Sequence, residues 1–274
     1  MPFPLIDSHC HLDYLERKGM DLDQIFLNMK SQHVLACLTI STRLNEIDNL
    51  LKITRSRPNV VCSYGLHPHE ANTEDVTTGI LVEQTKDDDI VAIGETGLDY
   101  YYHNAPKKQQ EHAFNCHIEA AGETGLPLIV HTRDADKDTI KILQHHYKQK
   151  EFSGVIHCFT ASKWLGDAAI ELGMAISISG IITFKKADQL RSDIASFDHQ
   201  HLLIETDAPF LAPVPKRGQI NEPAFIRYSA DYTADLLGFT NDELAHLTMR
   251  NFTKYFKKAV QRLKQKGVDW PFKS

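Results

Sequence analysis

Two histidines one residue apart, His9 and His11 in DSHCH, can chelate one cation from the same side of a strand. The period-two alternation of a strand points both imidazoles one way while Ser8 and Cys10 point the other. Such a pair alone is a weak signal. It gains weight from Glu95 in AIGETG, His131 in IVHTRD, His157 in VIHCFT and Asp207 in IETDAP. Each sits at the end of an apolar run, where a polar group is costly unless it is paired or metal-bound. Four imidazoles and two carboxylates exceed one tetrahedral site that also keeps an open position. They suit two divalent cations sharing a bridging carboxylate and a bridging water. An imidazole-rich set favours zinc, manganese or a similar transition ion over magnesium, which prefers oxygen ligands. A bridging hydroxide, acidified by both cations, would be the nucleophile of a hydrolysis. Asp207 would orient that water and accept its proton, or serve as a ligand only.

Elements at the right places are needed to bring these residues together. Eight short β-rich apolar runs occur in the chain: LIDSHCH, VLACLTI, VVCSYGLH, IVAIGETG, PLIVHTR, GVIHCFT, MAISISG and LLIETDAP. Between them, helical apolar spacing predicts helices over Asp21–Gln32, Leu44–Arg55, Lys107–Glu123, Ala135–Tyr147 and Ser162–Leu172. Repeated βα units imply parallel strands with right-handed crossovers, and eight of them in 274 residues predict a (β/α)8 barrel of the TIM type. An open doubly wound sheet is disfavoured, because no glycine-rich phosphate turn follows the first strand. The candidate ligands then gather at the C-terminal ends of the strands, where barrel enzymes keep their catalytic groups. Glu95, on the middle strand, is the natural bridge. The pentapeptide GETGL occurs a second time at residues 122–126, after HIEAA. There Glu123 is expected in the last turn of a helix, with Gly125 as its C-cap.

Composition bounds the rest. With 42% hydrophobic residues the chain suits one large core, read as a single domain over residues 1–274, and no apolar run approaches a membrane span. The start, MPFPLIDSHCH, lacks the basic region of a signal peptide, so a cytoplasmic location is expected. Five cysteines without CxxC spacing predict buried, reduced thiols rather than a disulfide frame. Thirty Lys and Arg against 36 Asp and Glu give a net charge of −6, the opposite of a broad basic duplex-binding stripe; any nucleic-acid contact must be local.

DSHCHLD, GLHPHE, GETGLDYYY, VHTRDA, HCFTAS and ETDAPFLAPVPKRG, in this order along almost the whole chain, resemble the motifs of the TatD-type metal-dependent deoxyribonucleases. That resemblance implies a barrel of the metal-dependent hydrolase superfamily. It implies a first metal on His9, His11, Glu95 and Asp207 and a second on Glu95, His131 and His157. The expected substrate is nucleic acid, single-stranded DNA or DNA ends, trimmed exonucleolytically; no membrane and no obligate protein partner is implied. Related hydrolases of amides and triesters often bridge their metals with a carboxylated lysine where this chain has Glu95, which leans away from amide, lactone or aminoacyl-ester hydrolysis on the same site. A binding module without turnover would be expected to lack a ligand, and all six are present.

Substrate contacts are sought among cations and aromatics just beyond the strand ends. Arg133 and Arg217 can fork two phosphate oxygens, whereas Lys185, Lys186 and Lys216 read as ordinary surface charge. His67 ends the third strand and could donate to a phosphate or leaving oxygen, while His69 reads as a loop residue. Tyr100, Tyr101, Tyr102, Phe159, Trp164 and Phe184 could stack bases, although packing between loops is the commoner role. His112 and His117 read as helix residues remote from the metals. His145, His146, His199 and His201 are expected to be exposed.

Overall fold

The computed structural model describes residues 3–272. Its eight strands are β1 (Leu5–Cys10), β2 (Val34–Thr39), β3 (Val60–Tyr64), β4 (Ile90–Asp99), β5 (Leu128–Arg133), β6 (Gly154–Ile156), β7 (Ala175–Ile178) and β8 (Leu202–Ile204). All neighbours pair in parallel, in the order β1 to β8. The barrel closes beyond the end of β8, where Asp207 N–H donates to His9 O at 2.9 Å and His11 N–H donates to Ala208 O at 2.7 Å. Among the described residues no helix is long and apolar enough to cross a membrane.

The helices form where the apolar spacing predicted them, at Leu22–Ser31, Ile47–Ser56, Lys107–Thr124, Asp136–Tyr147 and Lys163–Glu171. Polar caps set two of the starts: the Asp21 side chain accepts from Asp23 N, and the Ser162 hydroxyl accepts from Leu165 N. The second GETGL ends a helix as expected, with Glu123 exposed and Gly125 left-handed at φ 69°. The first GETGL is strand, and there the glycines serve another purpose. A Cβ on Gly97, at φ 137°, would stand 2.0 Å from the carbonyl oxygen of His131 on β5. Only glycine lets β4 and β5 approach so closely.

Side-chain alternation then stacks the site on the core. Ile6, Leu38, Val61, Val91, Ile129, Val155, Ala175 and Leu203, one from each strand, share a buried cluster with Phe252, Phe256 and Trp270 from the C-terminal region. Two residues further along β5 and β6 stand His131 and His157, and two and four beyond Leu203 stand Glu205 and Asp207. Register irregularities fall between Asp7 and Cys10 on β1 and between Ile93 and Thr96 on β4. These are the points at which His9 and Glu95 must be aimed into the mouth.

Candidate metal centre

Glu95 stands at the centre of the cluster. Its Oε1 lies 2.7 Å from His157 Nε2, 3.2 Å from His131 Nδ1 and 3.4 Å from His67 Nε2. Its Oε2 lies 3.3 Å from His9 Nε2 and 4.0 Å from His11 Nε2. Asp207 Oδ1 completes the second group, 3.4 Å from His11 Nε2 and 3.8 Å from His9 Nε2. The fold therefore brings all six residues singled out in the sequence into one mouth, although they come from five separate segments. His11 lies just past β1, as the residue that precedes a short helix at Leu12–Arg17, and Asp207 lies in the segment after β8 at φ 56°.

The donor set fits divalent cations. Ligand atoms of His9, Glu95 and His157, of His9, His11 and Asp207, and of His67, Glu95 and His131 each lie within 4.8 Å of one another. His9 Nδ1, His9 Nε2 and His11 Nδ1 are buried without a hydrogen-bond partner. A buried imidazole nitrogen left unsatisfied is costly, and one aimed at a carboxylate oxygen needs a proton or a cation between them. The titration behaviour follows the same geometry. Burial works against a charged Glu95, but His157, His67 and His9 hold its carboxyl well below the usual range. Burial likewise opposes an imidazolium at His157, yet Glu95 and Glu205 raise it well above an ordinary histidine. His9, dominated by burial, is lowered.

A ring of carboxylates behind the cluster was not picked out from the sequence. His131 turns Nδ1 to Glu95 and Nε2 to Asp99, at 3.1 Å. His157 turns Nε2 to Glu95 and Nδ1 to Glu205, at 3.3 Å, and Ser177 Oγ–H donates to the same carboxylate. Such partners fix which nitrogen of a ligating histidine is free. Asp7 accepts from Thr206 N at 2.9 Å and Thr206 Oγ1 at 2.5 Å, tying the strand that carries His9 to the segment that carries Asp207. Burial pushes the Asp7 carboxyl up to about 8. The signal was present as alternate-residue spacing: Asp7 precedes His9 by two, Glu205 precedes Asp207 by two, and Asp99 follows Glu95 by four.

His67 differs from the other histidines. Its Nδ1 accepts from His69 N at 3.1 Å, so the neutral ring carries its proton on Nε2, facing Glu95. Burial pushes it down to about 4 and keeps it neutral. His69 is more than a loop residue, because its Nε2 lies 2.8 Å from Asp99. His117 is fully buried and structural: Leu66 N–H donates to its Nε2 at 3.0 Å, which fixes the turn leading to His67. The expectation of four exposed histidines holds for His145 alone. His146 lies against Asn115, His201 is bonded to Tyr255, and His199 packs on the Phe239 ring; all three are half-buried.

Arg133, at the end of β5, lies over the rings of Tyr101 and Tyr102, 4.0 and 4.7 Å from their centroids. It has no carboxylate within ion-pair distance among the described residues. Asp99 Oδ1 accepts from both Tyr101 N and Tyr102 N, so one side chain positions His131 and this aromatic ledge together. Arg217 instead covers Phe184 at 3.8 Å, and no contact joins it to the metal cluster. Lys185 and Lys186 are exposed, and Lys216 lies over Phe225. Phe159 is buried against Phe197, whereas Tyr101, Tyr102 and Trp164 remain exposed. The five cysteines are free, and only Cys158 is not fully buried.

Comparison with known proteins agrees with this geometry. Residues 6–257 match the family model described as TatD related DNase. The chain is 41% identical over 261 residues to an uncharacterized metal-dependent hydrolase, YcfH, of Escherichia coli strain K12, covering 94% of this chain and 98% of that one. It is 30% identical over 243 residues to the 3'-5' ssDNA/RNA exonuclease TatD of Erwinia amylovora, covering 86% and 93%. The crystal structure of YjjV, a TatD homologue from Escherichia coli K12, superposes with a TM-score of 0.84 at 25% identity, over 94% of this chain and 99% of that one. A match across the barrel and its whole mouth places this chain in the TatD-related family of metal-dependent hydrolases.

Proposed function

We propose that this protein hydrolyses phosphodiester bonds in nucleic acid, removing nucleotides from a single-stranded end, with two divalent cations held by His9, His11, Glu95, His131, His157 and Asp207. The observation that carries the reading is the division of Glu95, with Oε1 toward His131 and His157 and Oε2 toward His9 and His11. The name of the Erwinia relative supports the nuclease assignment. Two cations in such a site supply a water of lowered pKa and neutralise charge on the phosphoryl oxygens.

The remaining chemistry falls to side chains. Burial opposes a charged Asp207, but His11 and His9 hold its carboxyl below the usual range; ionised at neutral pH, it can take a proton from water. His67, kept neutral, can donate from Nε2 to a phosphoryl or leaving oxygen. Arg133 has its guanidinium free of carboxylates and oriented by two tyrosines, ready to fork a phosphate.

Metal analysis of the purified protein, combined with timed digestion of end-labelled oligonucleotides and a panel of RNA, dinucleotide, amide and lactone substrates, tests the proposal. The expected result is about two ions per chain and stepwise shortening of the labelled strand. One ion at saturation would remove the binuclear reading. Turnover of amides or lactones without any of diesters would move the chain to a different bond.

A further inference from the structure

On the flank of the barrel beside Arg133 two clefts share one lining residue, Lys137. The upper, about 660 Å³, begins at Thr132 and Arg133 and reaches Lys137. The lower, about 610 Å³, is lined at one end by the same Lys137 with Trp164 near it, and further down by Lys141, His145 and Lys148. Lys137, Lys141 and Lys148 lie four and seven residues apart, one face of the helix Asp136–Tyr147 and its C-terminal cap. The face spans about 16 Å, at ~1.5 Å per residue. That is room for about five nucleotides stacked at ~3.4 Å.

The strip carries local positive charge on an acidic protein. No carboxylate lines the lower cleft. None of the three lysines has an ion-pair partner among the described residues. Elsewhere on the surface Arg17, Arg43, Arg55, Arg57 and Arg191 all face Asp or Glu. The upper cleft does contain Asp134, Asp136 and Asp138; of these, Asp136 is engaged by Ser162 N at 2.9 Å and Asp138 by Tyr100 Oη at 3.0 Å. Beside the mouth-side start of the helix Asp136–Tyr147, Trp164, two residues past the Ser162 whose N–H donates to Asp136, is 53% exposed. Asp167, on the helix that carries Trp164, is held by Lys163 at 2.6 Å.

We infer that the strip from Arg133 past Lys137 and Trp164 to Lys141 and Lys148 is the path along which the body of a single-stranded nucleic acid lies while its end occupies the metal centre. The inference rests on the nuclease reading above. Unpaired lysines follow the phosphates and Trp164 stacks a base near the start of the strip, the combination by which single strands are gripped without sequence preference. It also gives a chain of net charge −6 a local cationic route for a polyanion.

The test is fluorescence anisotropy of a labelled single-stranded oligonucleotide of about 20 nucleotides, longer than typical single-strand footprints, in chelator across a range of salt. Folding of each variant is checked by its melting temperature. Replacing Lys137, Lys141 and Lys148 together by Gln is expected to lower the slope of log affinity against log salt by about 2, at ~0.7 per phosphate released. Trp164→Ala is expected to weaken binding roughly 5- to 150-fold. A control in which Lys18, Lys30 and Lys52 become Gln alters net charge equally and should leave the slope unchanged. An unchanged slope in the first triple variant, an equal loss in the control, or no binding by the native protein would overturn the path. Binding that follows this pattern in chelator, with no strand cleavage once zinc or manganese is restored, would leave the path standing and remove the nuclease reading.

Discussion

Oε1 of Glu95 lies 2.7 Å from Nε2 of His157, while the other oxygen of the same carboxylate faces His9 at 3.3 Å. Glu123, in an identical pentapeptide, ends a helix and is exposed. Glu95→Ala should therefore lose bound metal and all detectable hydrolysis, whereas Glu123→Ala should keep both and shift stability by no more than about 0.5 kcal/mol. Metal content and oligonucleotide digestion of the two purified variants decide this; equal losses in both, with folding intact, would contradict the division of roles.

The carboxylates behind the histidines should matter almost as much as the ligands. Asp99→Asn and Glu205→Gln keep the shape of the acceptor but weaken its hold on His131 and His157. Each is expected to lower metal affinity about 10- to 100-fold. Competition against a chelator of known affinity measures it. An affinity equal to that of the native protein in both variants would leave these groups a purely structural part.

Arg133→Lys should act through lost geometry, since lysine keeps the charge but not the fork. A loss of about 1.5–3 kcal/mol is expected for a charge-assisted phosphate contact. If the contact tightens as charge builds on the phosphoryl oxygens, kcat falls as well as kcat/KM; a contact equally strong throughout raises KM alone. Steady-state kinetics on a short oligonucleotide and a small diester separate these outcomes. Unaltered kinetics on both would take Arg133 out of the site.

At the opposite end of the barrel, Asp89 accepts from Arg262 Nε at 3.0 Å and Nη2 at 3.1 Å, and Lys266 lies 3.3 Å away. Burial would raise this carboxyl, but Arg262 and Lys266 hold it below its ordinary value. A depressed carboxylate stabilises the fold above its unfolded pKa of about 3.9, and that contribution disappears as pH falls through the folded value. Asp89→Asn should thus cost about 1.5–3 kcal/mol at neutral pH, with the gap to the native protein narrowing below about pH 4. Urea midpoints measured across that range show it; a gap independent of pH would exclude the ionic origin.

The order of eight β-rich runs, the helices between them and all six residues now grouped around Glu95 could be read from the chain itself. Apolar period and the cost of placing a polar group at the end of a buried run are local properties. Contacts between distant segments could not be read in that way. Alternate-residue spacing relates Asp99, Glu205 and Asp7 to Glu95, Asp207 and His9, but their partners appear only when β5, β6 and the segment after β8 bring His131, His157 and Thr206 against them. The same holds for His117, whose helix spacing suggested nothing until the fold set Leu66 N against its Nε2. Arg133 and Arg217 read alike as sequence, each a guanidinium in a segment that follows a strand-end ligand. Only tertiary packing gave one the Tyr101 and Tyr102 ledge beside the metal cluster and turned the other onto Phe184, because barrel closure determines which loops are neighbours across the mouth.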